Sequence, residues 1–388
     1  MLGVEINANA LKPTARFGLD RAQFQAMHRA ALEWAERAGL RVADETIRKR
    51  LAGRPGLRID GDRIYPATTR IETFLAEHRS RHPALPPPAD CPTVLCSSDR
   101  PLYITDGTGG TLRPFTRRDA IDGAKLIESL RDRGVRGTTT GLPSDVAPLL
   151  APFEQVLIGL RYGRGGASSS HAYDPWYASY MEQIARAQGH SFGLHVWVPS
   201  PFRLEGNELD AVLAMEGRLD FLNVGSMPLM GITAPMDIVG TWVQALAETL
   251  GSATILSDLY PGVPVEFYPH PQAADLSTGG YGMGLPEMHL LDALKSEILP
   301  FYGLRPPWAK SAVVGAPVPG VQAQVERTAA YVIGYLHGYR EFDMAGILSC
   351  GGDVFSPVQL LLDLETLGWA ERYVQGAEWD PARWDLER

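Results

Sequence analysis

The sequence has few cysteines, and they do not repeat at a metal-binding spacing. Cys91, Cys96 and Cys350 are its only 3 cysteines. An odd number without a CxxC pair disfavours both a disulfide framework and a tetrahedral zinc site. We therefore expect a reducing, cytoplasmic environment and no bound metal.

Long apolar runs are missing as well. No uninterrupted stretch of about 18 apolar residues is present to span a bilayer, and no basic segment followed by an apolar core precedes the first helical pattern. The sequence predicts no membrane segment.

Positive charge is scarce relative to negative charge. The chain has 36 Lys and Arg against 45 Asp and Glu, a formal net charge of −9. Binding of nucleic acid depends on clustered lysines and arginines, so we expect no nucleic-acid partner. A small cationic ligand suits the sign of the charge better.

What is present fits one large α/β domain. The chain has 388 residues, 45% hydrophobic and 21% charged, which is close to the average for soluble globular proteins. This length accommodates a (β/α)₈ barrel, which takes about 250 residues or more.

The N-terminal part predicts a small separate unit. Residues 1–18 lack periodicity and are expected to form an arm, and residues 19–92 are expected to form an α+β unit. Its first helix is predicted to begin at Asp20 and to end at Gly39. The unit closes with a connector that holds five prolines between positions 83 and 92, which cannot continue a helix.

Residues 93–388 are predicted to form the barrel. Strand-like and helix-like segments alternate here, which is typical of βα units around a parallel sheet. Predicted strands lie at 137–140, 166–170, 194–198, 221–224, 264–268, 311–314 and 346–349, with an eighth near 102–105 or 119–127. Predicted helices lie at 153–160, 176–187, 208–216, 238–253, 287–301, 323–339 and 357–369.

Five short motifs follow one another in a fixed order, at residues 225–235, 261–264, 284–287, 322–326 and 350–353. A helix with Ala247-Glu248 follows the first of them. In this order the motifs resemble the trimethylamine:corrinoid methyltransferase family, over roughly residues 23–376.

The resemblance implies a fold and a reaction. Its members are (β/α)₈ barrels that move a methyl group from a methylated amine to the cobalt of a separate corrinoid protein. This chain lacks pyrrolysine and therefore looks like the branch that acts on quaternary amines such as glycine betaine. We expect a corrinoid-protein partner, a homo-oligomer, and no corrinoid bound tightly by this chain.

Reacting groups of a barrel lie at the carboxyl ends of its strands. A quaternary ammonium ion cannot donate a hydrogen bond, so aromatic faces and nearby negative charge recognise it. Together these points predict catalytic roles for Glu287, His195 and His171. The predicted substrate-binding residues are Tyr173, Trp197, Tyr268, His270, Tyr281, Phe355 and Asp353.

Other interpretations of these residues stay open. The aromatics could simply pack the mouth of the barrel, and Glu287 could serve only the N-terminus of its helix. His171, His195 and Glu287 could support metal- or acid/base-assisted chemistry on another small polar substrate. The chain could also be a ligand-binding accessory protein without transfer activity.

One segment departs from the family pattern. Residues 313–320 are uncharged, whereas many relatives have a loop with charged or polar side chains here. A polar substrate contact is therefore expected to be missing, and the substrate could differ.

Overall fold

The computed structural model describes residues 10–11, 15, 17–81, 93–98, 100–105, 107, 111–164, 169–170, 174–304, 309–349, 351–378 and 380. Its helices are α1 (Arg21–Ala38), α2 (Glu45–Leu51), α3 (Thr68–Arg81), α4 (Arg117–Ser129), α5 (Ala151–Tyr162), α6 (Pro175–Ala187), α7 (Asn207–Ala214), α8 (Ile238–Leu259), α9 (Pro286–Phe301), α10 (Val321–Leu336) and α11 (Pro357–Gln375). The proline-rich connector predicted at 83–92 lies outside the described residues.

Helix α1 forms where the sequence predicts it. The Asp20 carboxylate accepts the Gln23 N–H at 2.8 Å, and the Gln23 side chain accepts the Asp20 N–H at 2.8 Å. Such a capping box satisfies two backbone donors that a helix start leaves unpaired. The helix ends at Gly39, which has a φ of 61°.

The N-terminal unit also contains a small antiparallel sheet. Its central strand Arg63–Pro66 pairs with Leu57–Asp60 on one side and with Leu40–Arg41 on the other. The strands Leu57–Asp60 and Arg63–Pro66 therefore form a hairpin. Helices α1 and α3 both pack against α8, so the unit is attached to the larger α/β part.

Eight of the described strands form two four-stranded parallel sheets in the larger part. They are β1 (Val94–Cys96), β2 (Val135–Arg136), β3 (Ser169–Ser170), β4 (Gly193–Val198), β5 (Phe221–Ser226), β6 (Val265–Pro269), β7 (Ala309–Lys310) and β8 (Glu341–Phe342).

These strands pair in chain order as two groups of four. Strands β3, β4, β5 and β6 form one group, and β7, β8, β1 and β2 form the other. The β8–β1 pair brings the last strand back to the first. No ladder joins β2 to β3 or β6 to β7 among the described residues.

Each group of strands has its own hydrophobic core. One cluster includes Val196 and Phe267 and also takes in Phe74 of the N-terminal unit. Another includes Leu95 and Phe342. The larger part therefore consists of two packed halves.

Two small sheets lie in the connections that leave the carboxyl ends of the parallel strands. One joins Leu229–Met230, Gln272–Asp275 and Gly280–Tyr281. The other orders Ile347–Leu348, Val354–Phe355, Tyr103–Thr105 and Leu112–Pro114 as neighbours. These connections surround the end of the sheet where ligands bind in parallel α/β folds.

Four strand predictions need correction. The strand predicted at 311–314 is β7 at Ala309–Lys310, and that predicted at 137–140 is β2 at Val135–Arg136. The segments predicted at 346–349 and 102–105 belong to the second small sheet, while β8 and β1 come earlier in the chain. The alternative at 119–127 lies in helix α4. Two-residue strands bordered by charged residues carry too little alternation to be recognised.

Candidate ligand-binding site at the carboxyl ends of the parallel strands

Side-chain alternation along β4 separates a core face from a site face. Leu194, Val196 and Val198 are at most 2% exposed and pack in the core. His195 and Trp197 point to the opposite face, because successive residues of a strand alternate. The two residues predicted from β4 therefore share the inner face of the sheet.

The register of the sheet places Trp197, Gly225 and Tyr268 in one row across β4, β5 and β6. The ring centroids of Trp197 and Tyr268 lie 5.5 Å apart. A Cβ atom on Gly225 would come within 2.7 Å of Cζ3 of Trp197. Gly225 therefore leaves the space that the indole ring occupies over β5.

His270 extends this row beyond the end of β6. Its ring stacks on Tyr268, with centroids 5.8 Å apart and planes 24° apart. Burial, aided by the positive charge of Lys295, lowers the pKa of His270 to about 3. The imidazole is consequently neutral near pH 7 and can accept or donate a hydrogen bond.

Solvent reaches the side chain of Tyr268 near the carboxyl end of β6. Its side chain is 38% exposed, yet burial raises its pKa to about 12, with the Asp343 charge adding to the shift. Solvent therefore reaches the space in front of this ring, which is called the recess.

The next row on this face, nearer the amino ends of β4, β5 and β6, holds His195, Asn223 and Glu266. Asn223 Nδ2 lies 3.4 Å from His195 Nε2. Glu266 is bound by His78 Nε2 at 2.9 Å. This row is thus occupied by polar contacts between protein groups.

Charged side chains fill the space between β6 and β7. Lys310 pairs with Asp292 of α9, and both side chains are at most 3% exposed. Burial alone would raise the pKa of Asp292, but Lys310 and Lys295 outweigh burial and lower it. Lys295 Nζ donates to Ala309 O at 3.3 Å and lies 5.9 Å from the ring centroid of Tyr268. The charged groups therefore reach the edge of the aromatic row.

Asp343 was not singled out by the sequence. It directly follows β8, and its Oδ1 accepts the Ala312 N–H at 3.1 Å. The strand prediction at 346–349 placed the end of the last strand too late. A correct assignment of β8 would have drawn attention to Asp343 as the next residue.

Glu248 holds the connection that follows β4. This fully buried carboxylate of α8 accepts Ser200 Oγ at 2.7 Å, Phe202 N–H at 3.1 Å and Gln244 Nε2 at 2.8 Å. Burial raises its pKa, although these hydrogen bonds oppose the shift. Its role in the structure is to fix this loop.

The remaining predicted site residues do not join the aromatic row. Phe355 is 1% exposed and packs in a core against Phe115. Tyr281 is 39% exposed and Asp353 is exposed. Glu287 is half-buried in the first turn of α9. Their functional roles stay predictions.

Two predicted residues, His171 and Tyr173, lie outside the described residues, as does Cys350. Among the residues that are described, no three His, Cys, Asp or Glu side chains are grouped to hold a metal ion. None of the described helices has the length and apolar character to cross a bilayer.

Comparison with known proteins identifies the class. The trimethylamine methyltransferase (MTTB) family matches residues 182–387, more than half of the chain. The chain therefore belongs to this family. The matched region contains the aromatic row and the charged groups beside it.

Individual relatives are distant. Trimethylamine methyltransferase MttB1 of Methanosarcina mazei is 29% identical over 185 residues, 48% of this chain and 37% of the relative. Trimethylamine methyltransferase MttB of Desulfitobacterium hafniense is 21% identical, over 92% of this chain and 75% of the relative. Glycine betaine methyltransferase of Desulfitobacterium hafniense is 22% identical, over 74% and 62%. The match thus spans little more than a third of the Methanosarcina relatives.

The fold is similar to a solved structure. The monomethylamine methyltransferase MtmB of Methanosarcina barkeri superposes with a TM-score of 0.56 at 11% identity. The match covers 92% of this chain and 75% of that one. It establishes a common mixed α/β fold with parallel strands.

Proposed function

We propose that the eight parallel strands close into a (β/α)₈ barrel. The support is their pairing in chain order and the β8–β1 ladder that returns the last strand to the first. A helix follows each strand before the next begins. The aromatic row then lies at the mouth of the barrel, where catalytic groups occur in this fold.

The chain is proposed to move a methyl group from a small quaternary or methylated amine, such as a betaine, to the cobalt of a separate corrinoid protein. Membership of the trimethylamine methyltransferase family supports the reaction class. The observation that carries the substrate class is the Trp197–Gly225–Tyr268 row, because two aromatic rings facing one recess suit an N-methylated cation.

The reaction requires little acid–base chemistry from the chain. The bond from nitrogen to the methyl carbon breaks, and its electron pair stays on nitrogen, so a quaternary amine leaves as a tertiary amine. The new bond to the methyl carbon is formed with the electron pair of Co(I) in the corrinoid partner. The cobalt is a substrate carried by the partner. The tasks of this chain are to orient the methyl group toward the partner and to exclude water from the recess.

The neutral His270 fits this division of tasks. With its pKa lowered to about 3 by burial, it adds no positive charge beside a cationic ligand at neutral pH. The corrinoid partner would approach from the loops after the carboxyl ends of the strands. A cytoplasmic location and a homo-oligomer stay predictions from the sequence.

A methyl-transfer assay tests the proposal. Purified protein is mixed with reduced cobalamin and, in turn, trimethylamine, glycine betaine and other N-methylated amines, and methylcobalamin is followed by its absorbance. We expect transfer from at least one quaternary amine. No transfer from any of them, with the protein shown to be folded, would leave the accessory-protein interpretation.

The aromatic row is tested by binding. Trp197→Ala and Tyr268→Ala should each remove about 1–2 kcal/mol of cation–π energy, roughly 5- to 30-fold in the Kd of a trimethylammonium ligand. The matched control is Trp369→Ala, which removes an exposed ring stacked on Tyr373 on α11. Equal affinities for all three variants in calorimetry would remove the aromatic row from the site.

A further inference from the structure

The side chain of Asp343 lies on the inner face of the parallel strands. Its neighbour Phe342 is fully buried and packs on the rings of Tyr331 and Tyr335 of α10, at 5.2 and 4.9 Å. The Asp343 N–H donates to Lys310 O at 3.1 Å and so continues the β7–β8 ladder. Alternation therefore turns the Asp343 side chain away from α10, toward the recess.

One oxygen of this carboxylate is fixed by a backbone N–H. Oδ1 accepts the Ala312 N–H at 3.1 Å. The structure shows no hydrogen-bond partner for Oδ2 among the residues it describes, and the side chain is only half-buried. The orientation of Asp343 is thus set by the backbone, while one oxygen stays available.

The charge of Asp343 reaches both sides of the inner face. It contributes to the raised pKa of Tyr268 on β6 and to that of Cys96 on β1. Asp292, the other carboxylate close to Tyr268, is already paired with Lys310. Of the two, Asp343 is the carboxylate without an ion pair among the described residues, and Lys295 acts on its charge only from a longer distance.

We infer that Asp343 receives the positive charge of a methylated ammonium ligand whose N-methyl groups lie against Trp197 and Tyr268. The inference rests on the proposed function and names the residue that supplies the counter-charge. A quaternary ammonium has no N–H to donate, so it is held by aromatic faces together with a nearby anion. Two aromatic rings and one carboxylate of fixed orientation provide both.

The charge of Asp343 depends on pH. Burial raises its pKa to about 6, with the Ala312 N–H and Lys295 opposing the shift. At about pH 5 only about one tenth of the carboxyl would be ionised. Affinity for a permanent cation should therefore fall about tenfold between about pH 8 and about pH 5.

Several other titratable or charged groups face Asp343 and its surroundings. They are Cys96 on β1, Arg100 after it, Tyr268 and His270 on β6, His289, Asp292 and Lys295 on α9, Lys310 on β7, Tyr331 on α10 and Glu341 on β8.

Most of these groups keep one protonation state across the tested range. Burial lowers the pKa of His270 to about 3 and that of His289 to about 4, and it raises the pKa of Cys96 to about 12. Burial also raises the pKa of Glu341, so Glu341 is the competing carboxyl that a variant must separate from Asp343.

The test is calorimetric titration with tetramethylammonium at about pH 5 and about pH 8. The wild type should bind about tenfold more weakly at the lower pH. Asp343→Asn should bind weakly at both, whereas Asp343→Glu should restore a pH dependence. Glu341→Gln and the exposed control Asp122→Asn should keep the wild-type profile. Melting temperatures establish that each variant is folded.

The inference is overturned if the wild type binds equally at both pH values, if it does not bind at all, or if Asp343→Asn binds as the wild type does. It is also overturned if Glu341→Gln, instead, abolishes the pH dependence. Because no corrinoid is present, the outcome is independent of turnover. If binding depends on pH but no methyl transfer is found, only the proposed function is refuted. If methyl transfer is found but binding does not depend on pH, only the role of Asp343 is refuted.

Discussion

The ion pair between Arg327 of α10 and Asp363 of α11 should be critical to stability. Both side chains are fully buried, with Arg327 Nε 3.2 Å from Asp363 Oδ1. Asp363 also accepts the Gly346 N–H and Gln359 Nε2, each at 2.7 Å. Asp363→Ala would leave the guanidinium buried without a counter-charge and two donors without an acceptor.

The expected size follows from this burial. Removing one member of a buried ion pair costs about 3–5 kcal/mol. At about 2.1 cal/mol/K per residue, 388 residues give an unfolding entropy near 0.8 kcal/mol/K, so the melting temperature should fall by about 4–6 °C. The assay is thermal unfolding followed by circular dichroism, with urea unfolding as a second measurement.

A matched control lies on the same helix. Glu365 pairs with Arg133 at 2.8 Å, but their side chains are 73% and 54% exposed. Glu365→Ala should cost no more than about 1 kcal/mol, because water screens exposed pairs. A melting temperature for Asp363→Ala that matches that of Glu365→Ala would refute the reasoning.

Two further predictions concern the site. Gly225→Ala places a Cβ atom 2.7 Å from the Trp197 ring, so it should displace the indole, change tryptophan fluorescence and weaken tetramethylammonium binding. Gly368→Ala on α11 meets no atom within 4 Å and should instead stabilise the protein by about 0.5–1 kcal/mol; equal effects of both changes would contradict the steric argument. Asp343→Asn should raise the melting temperature above about pH 6 but not near pH 4. Burial raises the pKa of the Asp343 carboxyl from 3.8 to about 6 in the folded protein. The wild-type protein therefore loses stability, by at most about 3 kcal/mol, as the pH rises through that interval. Melting curves at several pH values check this, and a constant difference between the two proteins would contradict it.

The sequence predicts best where elements are long and regular. Strands β4 and β5 have 6 residues each, enough to show alternation, and the α1 cap is a local motif that runs from Asp20 to Gln23. The family resemblance, which the comparisons confirm, comes from five motifs in a fixed order, the first of which begins at the end of β5.

Prediction was weakest where three-dimensional contacts decide the structure. Strand β8 has only two residues, and Glu341 makes it look like a polar turn. Its place is set by pairing with β1 and β7, which are distant in sequence. Because the sequence places this strand too late in the chain, it indicates Phe355 as a site residue and not Asp343. Phe355 is instead buried against Phe115.

The division of the parallel strands into two halves has a consequence for ligand binding. Tyr268 belongs to the half that ends at β6, and Asp343 to the half that begins at β7. Side chains span that junction: the buried Lys310–Asp292 pair and Lys295, which reaches from Ala309 O to the ring of Tyr268, help to set the separation of the aromatic ring and the carboxylate. A ligand held by both would therefore contact residues from both halves at once.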